Sequence, residues 1–213
     1  MPREAEHSSG EAGSESASDH ADADPASQYA STSRPDDDTG DARSAPVVSI
    51  EDATSAIDVN DMRWLRESSK AAITRAWRVV EPACQSVPGS VCVRVIDASA
   101  MASLHKRALG VATPTDVLTF DMRDAPGQGE PLDVDIVVCA AVAREQARQR
   151  NTSAPRELLL YILHGALHCL GFDDHDPQDA ARMHAAEDAI LRDIGVGSIY
   201  AQPVAPQTGS AAS

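Results

Sequence analysis

Large apolar side chains are scarce until position 47 and then recur in two rhythms, one of period two and one of period 3.6. Val47-Val48-Ser49-Ile50 opens the patterned region as a short strand. From Asp61 to Val80 the residues Trp64, Leu65, Ala71, Ile73, Trp77 and Val80 recur at helical spacing, which predicts an amphipathic helix. Pro82 and the Pro88-Gly89 pair are expected to break the chain before a strand of β-branched residues, Val91 to Ile96. A helix from Asp97 to about Ala108 follows, then strands Thr115 to Phe120 and Val134 to Cys139, separated by a Gly- and Pro-bearing loop from Arg123 to Pro131.

From Ala140 onward the pattern is helical. One helix runs to Arg150, a second is started by Ser153 and Pro155, and a third is started by Asp176-Pro177 and runs to about Gly195. In the middle one, Leu158, Leu159, Leu160, Ile162, Leu163, Leu167 and Leu170 cover most of the circumference, so it is expected to be the central buried helix. The elements add up to a single α/β (α+β) domain over residues 46–200, a small mixed sheet packed against several helices. Residues 1–45 are rich in Ser, Ala, Asp, Glu and Gly and are expected to be a disordered acidic extension, and 201–213 a flexible tail.

Charge narrows the picture. The first 45 residues hold eleven acidic and three basic side chains, a balance of −8 that leaves −7 of the total −15 for the rest. Net acidity argues against extensive sequence-independent phosphate contact, though not against a local basic groove. Arg63, Arg66, Lys70, Arg75 and Arg78 on the first helix read as a solvated face rather than a nucleic-acid track. No run of eighteen apolar residues exists and the N-terminus lacks a signal-peptide pattern, so a cytoplasmic protein without a membrane partner is expected. The four cysteines, Cys84, Cys92, Cys139 and Cys169, show no C-x-x-C spacing and read as reduced structural thiols.

The chemistry concentrates in His164-Gly-Ala-Leu-His168-Cys-Leu-Gly171-Phe-Asp-Asp174-His175. Residues four apart on a helix project about 40° apart, so His164 and His168 can reach one cation. Gly171 suits the left-handed position that ends a helix, after which the chain can fold back to bring a third donor. Two imidazoles buried without partners would cost about 2 kcal/mol each, a penalty that a metal removes. Two His plus one further N or O donor, with a position left for water, is the arrangement of catalytic zinc, although other divalent transition metals share the preference for imidazole. Asp174 and His175 are both chemically able to be the third donor, Asp173 suits a role in the turn, and His184 reads as surface or packing. In the metalloprotease signature H-E-x-x-H a Glu follows the first His and takes the proton of the attacking water. Here that position is Gly165, which argues against a zinc peptidase.

The helix H-G-x-L-H-x-x-G-F-D, preceded by Pro114-Thr-Asp-Val-Leu-Thr-Phe120, resembles the YbeY family of endoribonucleases, also called ribosomal RNA maturation factors. Leu104-His105, Asp135-Ile-Val-Val-Cys139, Met183 and the closing Ile190-Leu-Arg-Asp-Ile-Gly195 extend the resemblance over nearly the whole folded region. It implies a small α/β fold with one metal, usually taken to be zinc, held by H-x-x-x-H-x-x-x-x-x-H. His164 and His168 match the first two ligands, and His164 is also the residue assigned to catalysis. The third falls on Asp174 when no gap is opened, and a one-residue adjustment of the loop brings in His175 instead. The resemblance further implies single-strand-specific RNA cleavage, 3′-end maturation of small-subunit ribosomal RNA and ribosome quality control, with single-stranded and ribosomal RNA and the small subunit as partners. A metal with an open position suits that chemistry, since it can activate water and polarise a phosphoryl oxygen.

The chain departs from the family pattern in two places. Where R-G-x-x-x-P-T-D would put an arginine, this sequence has Leu109, which leaves Lys106, Arg107 or Arg123 as replacement phosphate partners. The usual Gly before the acidic strand residue is replaced by Val134. Asp116 and Asp135, near strand starts, are expected either to cap their strands or to orient a ligand and line the cleft. A ribosome-associated binding factor with a structural metal, or a metal-dependent hydrolase of another substrate, are the competing readings.

Overall fold

The computed structural model describes residues 45–84, 87–126 and 130–199. The expectations for the N-terminal extension and the C-terminal tail lie outside the described residues, as does the side chain of Cys84. In chain order the elements are β1 Val47–Asp52, α1 Val59–Cys84, β2 Val87–Ile96, α2 Ala98–Leu109, β3 Val117–Asp121, β4 Pro131–Cys139, α3 Ala140–Arg150, α4 Ala154–Cys169 and α5 Pro177–Asp193. The strands form a four-stranded sheet in the order β1-β2-β4-β3. β1, β2 and β4 run parallel, and β3 is an antiparallel edge with Val117 opposite Val138 and Thr119 opposite Ile136. The mixed α/β architecture expected from the order of patterns is therefore the one observed.

The helix starts follow local chemistry. Asp97 and Asp176 each accept two backbone N–H groups from the first turns of α2 and α5, and Pro177 occupies a position whose N–H would be orphaned anyway. Ser153 sits at the start of α4, but its hydroxyl makes no capping bond there.

Two expectations change. The helix α1 continues past Pro82 to Cys84, and Pro88-Gly89 lies inside β2 instead of ahead of it. β1 pairs with β2 only from Ser90 onward, so Pro88 faces no partner on that side and its missing N–H breaks no ladder bond there. The register against β4 shifts between Val87 and Ser90, and a Cβ at Gly89 would lie 2.0 Å from the carbonyl oxygen of Leu132. The glycine marks a bulge where two backbones touch.

One face of the sheet carries the main core. Val91, Val93 and Val95 of β2 and Leu132, Val134, Ile136 and Val138 of β4 meet Leu65, Ile73 and Trp77 of α1 and the leucines of α4. The helix α4 contacts α1, α3, α5, β3 and β4, which bears out its expected central place. A Leu or Ile removed from water here contributes roughly 2 kcal/mol, so α4 is anchored by many such increments. The other face is covered in part by α2 through Met101, Ile96, Leu118 and Cys139. Cys92, Cys139 and Cys169 are free thiols.

Candidate metal centre

The last turn of α4 builds the site. The helix ends at Cys169, and Gly171 takes a φ of +95°. The Gly171 N–H donates to the carbonyl of His168 and the Phe172 N–H to that of Leu167, at 3.1 and 3.0 Å. These are the two bonds of a Schellman stop, completed by the buried side chains of Phe172 and Leu167. The same turn puts the Phe172 carbonyl 3.1 Å from Nδ1 of His168. A carbonyl only accepts, so Nδ1 of His168 is the protonated nitrogen and Nε2 carries a lone pair when the ring is neutral.

His164 is oriented from the opposite side. Its Nδ1 lies 2.8 Å from Oε1 of Glu187, a fully buried carboxylate on α5. Its Nε2 therefore also faces away from its partner, and the two Nε2 atoms meet 3.1 Å apart with the rings edge to face. The Asp174 oxygens close the triangle at 3.6 Å from Nε2 of His164 and 3.7 Å from Nε2 of His168. Two lone pairs aimed at each other beside a carboxylate repel unless a cation, a proton or a metal, lies between them. Tetrahedral coordination with bonds of about 2.0–2.2 Å needs donors roughly 3.3–3.5 Å apart, close to what this triangle offers. His164, His168 and Asp174 could thus hold a metal ion.

His175 is not brought to this triangle. Its ring is 86% exposed and turns to Asp173, whose carboxylate also accepts the N–H of Asp174 and fixes the bend. The partnership holds the His175 ring above the usual histidine range and the Asp173 carboxyl below the usual carboxylate range. Burial alone would depress the His164 ring, but the Glu187 hydrogen bond and the carboxylates of Glu187, Asp174 and Asp116 outweigh it and raise it. Burial pushes the Cys169 thiol up to about 12, so it stays protonated at neutral pH.

The remaining candidates sort by face. Asp116 lies close enough to His164 to act on its charge, and its side chain also caps Val117. Asp135 points to the opposite face of the sheet, into a groove with Ser49, Cys92 and Arg94, away from the histidines. His184 is half-buried outside the triad. Arg123 is not free for a phosphate: its side chain is 3% exposed, pairs with Asp121 and donates to the Cys169 carbonyl. Leu109 stands 66% exposed at the end of α2, in whose last turn Lys106 and Arg107 are also exposed. Gly165 faces β3, and a Cβ there would sit 2.4 Å from Oγ1 of Thr119. The position that carries the base in H-E-x-x-H is thus pressed against a strand.

Glu187 is the residue that sequence reasoning missed. A signal was present, because it is the lone acid on a stripe formed by Met183, Ala186 and Ile190.

Residues 49–195 match the family model described as Endoribonuclease YbeY. The chain belongs to the YbeY family. Among YbeY relatives, the Endoribonuclease YbeY of Mycobacterium tuberculosis is 38% identical over 107 residues, which cover 46% of this chain and 60% of that protein. The one from Mycolicibacterium paratuberculosis is 34% identical over 147 residues, 65% of this chain and 78% of that protein. The chain thus spans about 60% of the length of the Mycobacterium YbeY proteins it matches. The solution structure of a Thermotoga maritima protein aligns with 69% of this chain and 91% of its own, at 25% identity and a TM-score of 0.41. Among the described residues no helix is long and apolar enough to cross a membrane.

Proposed function

We propose that this protein is a metal-dependent endoribonuclease that cuts single-stranded RNA, acting in the cytoplasm on ribosomal RNA at the 3′ end of the small subunit and in ribosome quality control. The observation that carries the reading is the pair of imidazole Nε2 atoms facing each other at 3.1 Å beside the Asp174 carboxylate. His164, His168 and Asp174 would hold the ion, with zinc best suited to two imidazoles and a carboxylate. When bound, such an ion supplies Lewis acidity toward a phosphoryl oxygen and makes water a stronger acid, the two needs of phosphodiester hydrolysis. The chain's own part is orientation: Glu187 and the Phe172 carbonyl hold the rings, and the turn at Gly171 delivers Asp174. Asp174 is assigned the third position because His175 is engaged with Asp173. The part-exposed side of Asp174 leaves the cluster open to an RNA phosphate. The family match, and relatives named Endoribonuclease YbeY, support RNA as substrate.

The test is cleavage of a single-stranded RNA by the purified full chain with zinc, against His168→Ala. Loss of at least a hundredfold in the variant is expected. Equal cleavage by both proteins rejects the assignment.

The exposed Leu109 and the engaged Arg123 favour a second reading, a ribosome-associated binding factor whose metal braces the turn. Binding to ribosomal particles without RNA cleavage under any divalent metal, together with unfolding on chelation, would decide for it.

A further inference from the structure

From α5 the carboxylate of Glu187 reaches the first imidazole of the pair on α4. We infer that Glu187 is a positioning residue of the metal centre: it locks His164 with its proton on Nδ1, aims the Nε2 lone pair at the ion, and supplies the buried negative charge that neutralises a dication. This deepens the reading above and rests on it.

The two histidines are held differently. His168 donates to a neutral carbonyl, whereas His164 donates to a carboxylate. A ring whose N–H points at an anion is the stronger donor through its other nitrogen, so the pair is electronically unequal. Glu187 is fully buried, and among the described residues its ion-pair partner is His164. Its second oxygen, Oε2, is buried and has no hydrogen-bond partner among the described residues. Shape and packing alone give no reason for an acid here, because its stripe neighbours Met183, Ala186 and Ile190 are apolar and fully buried. Burying a carboxylate with one oxygen unpartnered is unfavourable unless positive charge lies close by. The charges supply it: two neutral imidazoles and Asp174 leave a divalent ion with one uncompensated positive charge, which Glu187 cancels.

The geometry separates two roles for the side chain. Glu187→Gln keeps an oxygen for the Nδ1 proton and removes the charge, while Glu187→Ala removes both. The full chain would be titrated with zinc against a competing chelator, and the ring nitrogens of the metal-free protein would be read by nitrogen-15 NMR at alkaline pH. Glu187→Gln is expected to bind zinc about 10-fold more weakly with His164 still protonated on Nδ1, and Glu187→Ala about 100-fold more weakly with mixed tautomers. A purely structural role would lower the melting temperature of the variants and leave zinc affinity and tautomer of the folded protein unchanged. Affinity of Glu187→Gln within twofold of the wild type overturns the inference and leaves the metal centre standing. If the variants fail to fold, the wild-type spectrum decides, since a proton on Nε2 of His164 also overturns it. Absence of stoichiometric zinc uptake by the wild type would fell the metal centre and this role together.

Discussion

The guanidinium of Arg123 reaches from the end of β3 to donate to the carbonyl of Cys169, 2.6 Å away, and so ties the sheet edge to the last turn of α4. Asp121 holds the other side of the same group. Arg123→Ala would strand the part-buried Cys169 carbonyl and leave Asp121 without this cation, at a cost of about 1–3 kcal/mol. Thermal and denaturant unfolding should show that loss. RNA affinity of the folded variant should stay near the wild-type value, because this arginine has no reach left for phosphate.

Gly165 lets α4 lie against the sheet at Thr119, whose Oγ1 occupies the space that a Cβ at this position would need. Gly165→Ala should destabilise by roughly 1–3 kcal/mol despite the better helix propensity of alanine. Removing the hydroxyl in Gly165→Ala with Thr119→Ala should recover most of the loss, since the next atoms, Ile136 Cγ2 and Val117 Cγ2, lie at 3.4 and 3.5 Å. Simple additivity of the two substitutions in a double-mutant cycle would contradict the contact.

The His164 ring is held above the ordinary histidine range, so the metal-free folded state binds its proton more tightly than the unfolded chain. That stability is fully present below the unfolded value of about 6.5 and is lost as pH rises through the higher folded value. Melting temperatures of chelated protein should therefore rise from pH 8 to pH 6, and less so in His164→Gln. His175, raised by Asp173 in the same sense, leaves a residual slope. Zinc affinity should move the other way and weaken toward pH 6, because proton and metal compete for the ring.

Leu109 is exposed and spends little on packing, so Leu109→Arg should change stability by no more than about 0.5 kcal/mol. If RNA lies along this end of α2, the added cation should tighten binding and steepen the logarithmic salt dependence by about 0.7 for a single strand. Filter binding over a range of salt concentrations measures both. No change in slope would place the RNA elsewhere.

Legibility in the sequence followed the strength of the physical constraint. The helix α4 was plain because its apolar residues run all round and its histidines stand four apart, and its stop was plain because few residues other than glycine accept a φ of +95°. Pro88-Gly89 misled because a break and a bulge share the same local chemistry; what separates them is whether a strand lies alongside, which is a tertiary fact. Arg123 looked available because its burial depends on Cys169, forty-six residues away. Glu187 belongs to no motif of the sequence, and only its phase relative to Met183 and Ile190 marks it for burial. That Asp174 lies beside the pair while His175 turns to Asp173 was not legible either, because it depends on where the bend carries the Asp173 carboxylate.

The Schellman stop after α4 has a consequence for how this chain can vary in length. The helix ending, the tilt of the second ring and the arrival of the Asp174 carboxylate are counted off along one short stretch. Adding or deleting a single residue between His168 and Phe172 would put all three out of step at once. Past Asp174 that coupling ends, and extra residues before the Asp176 cap would lengthen a surface bend without touching the cluster.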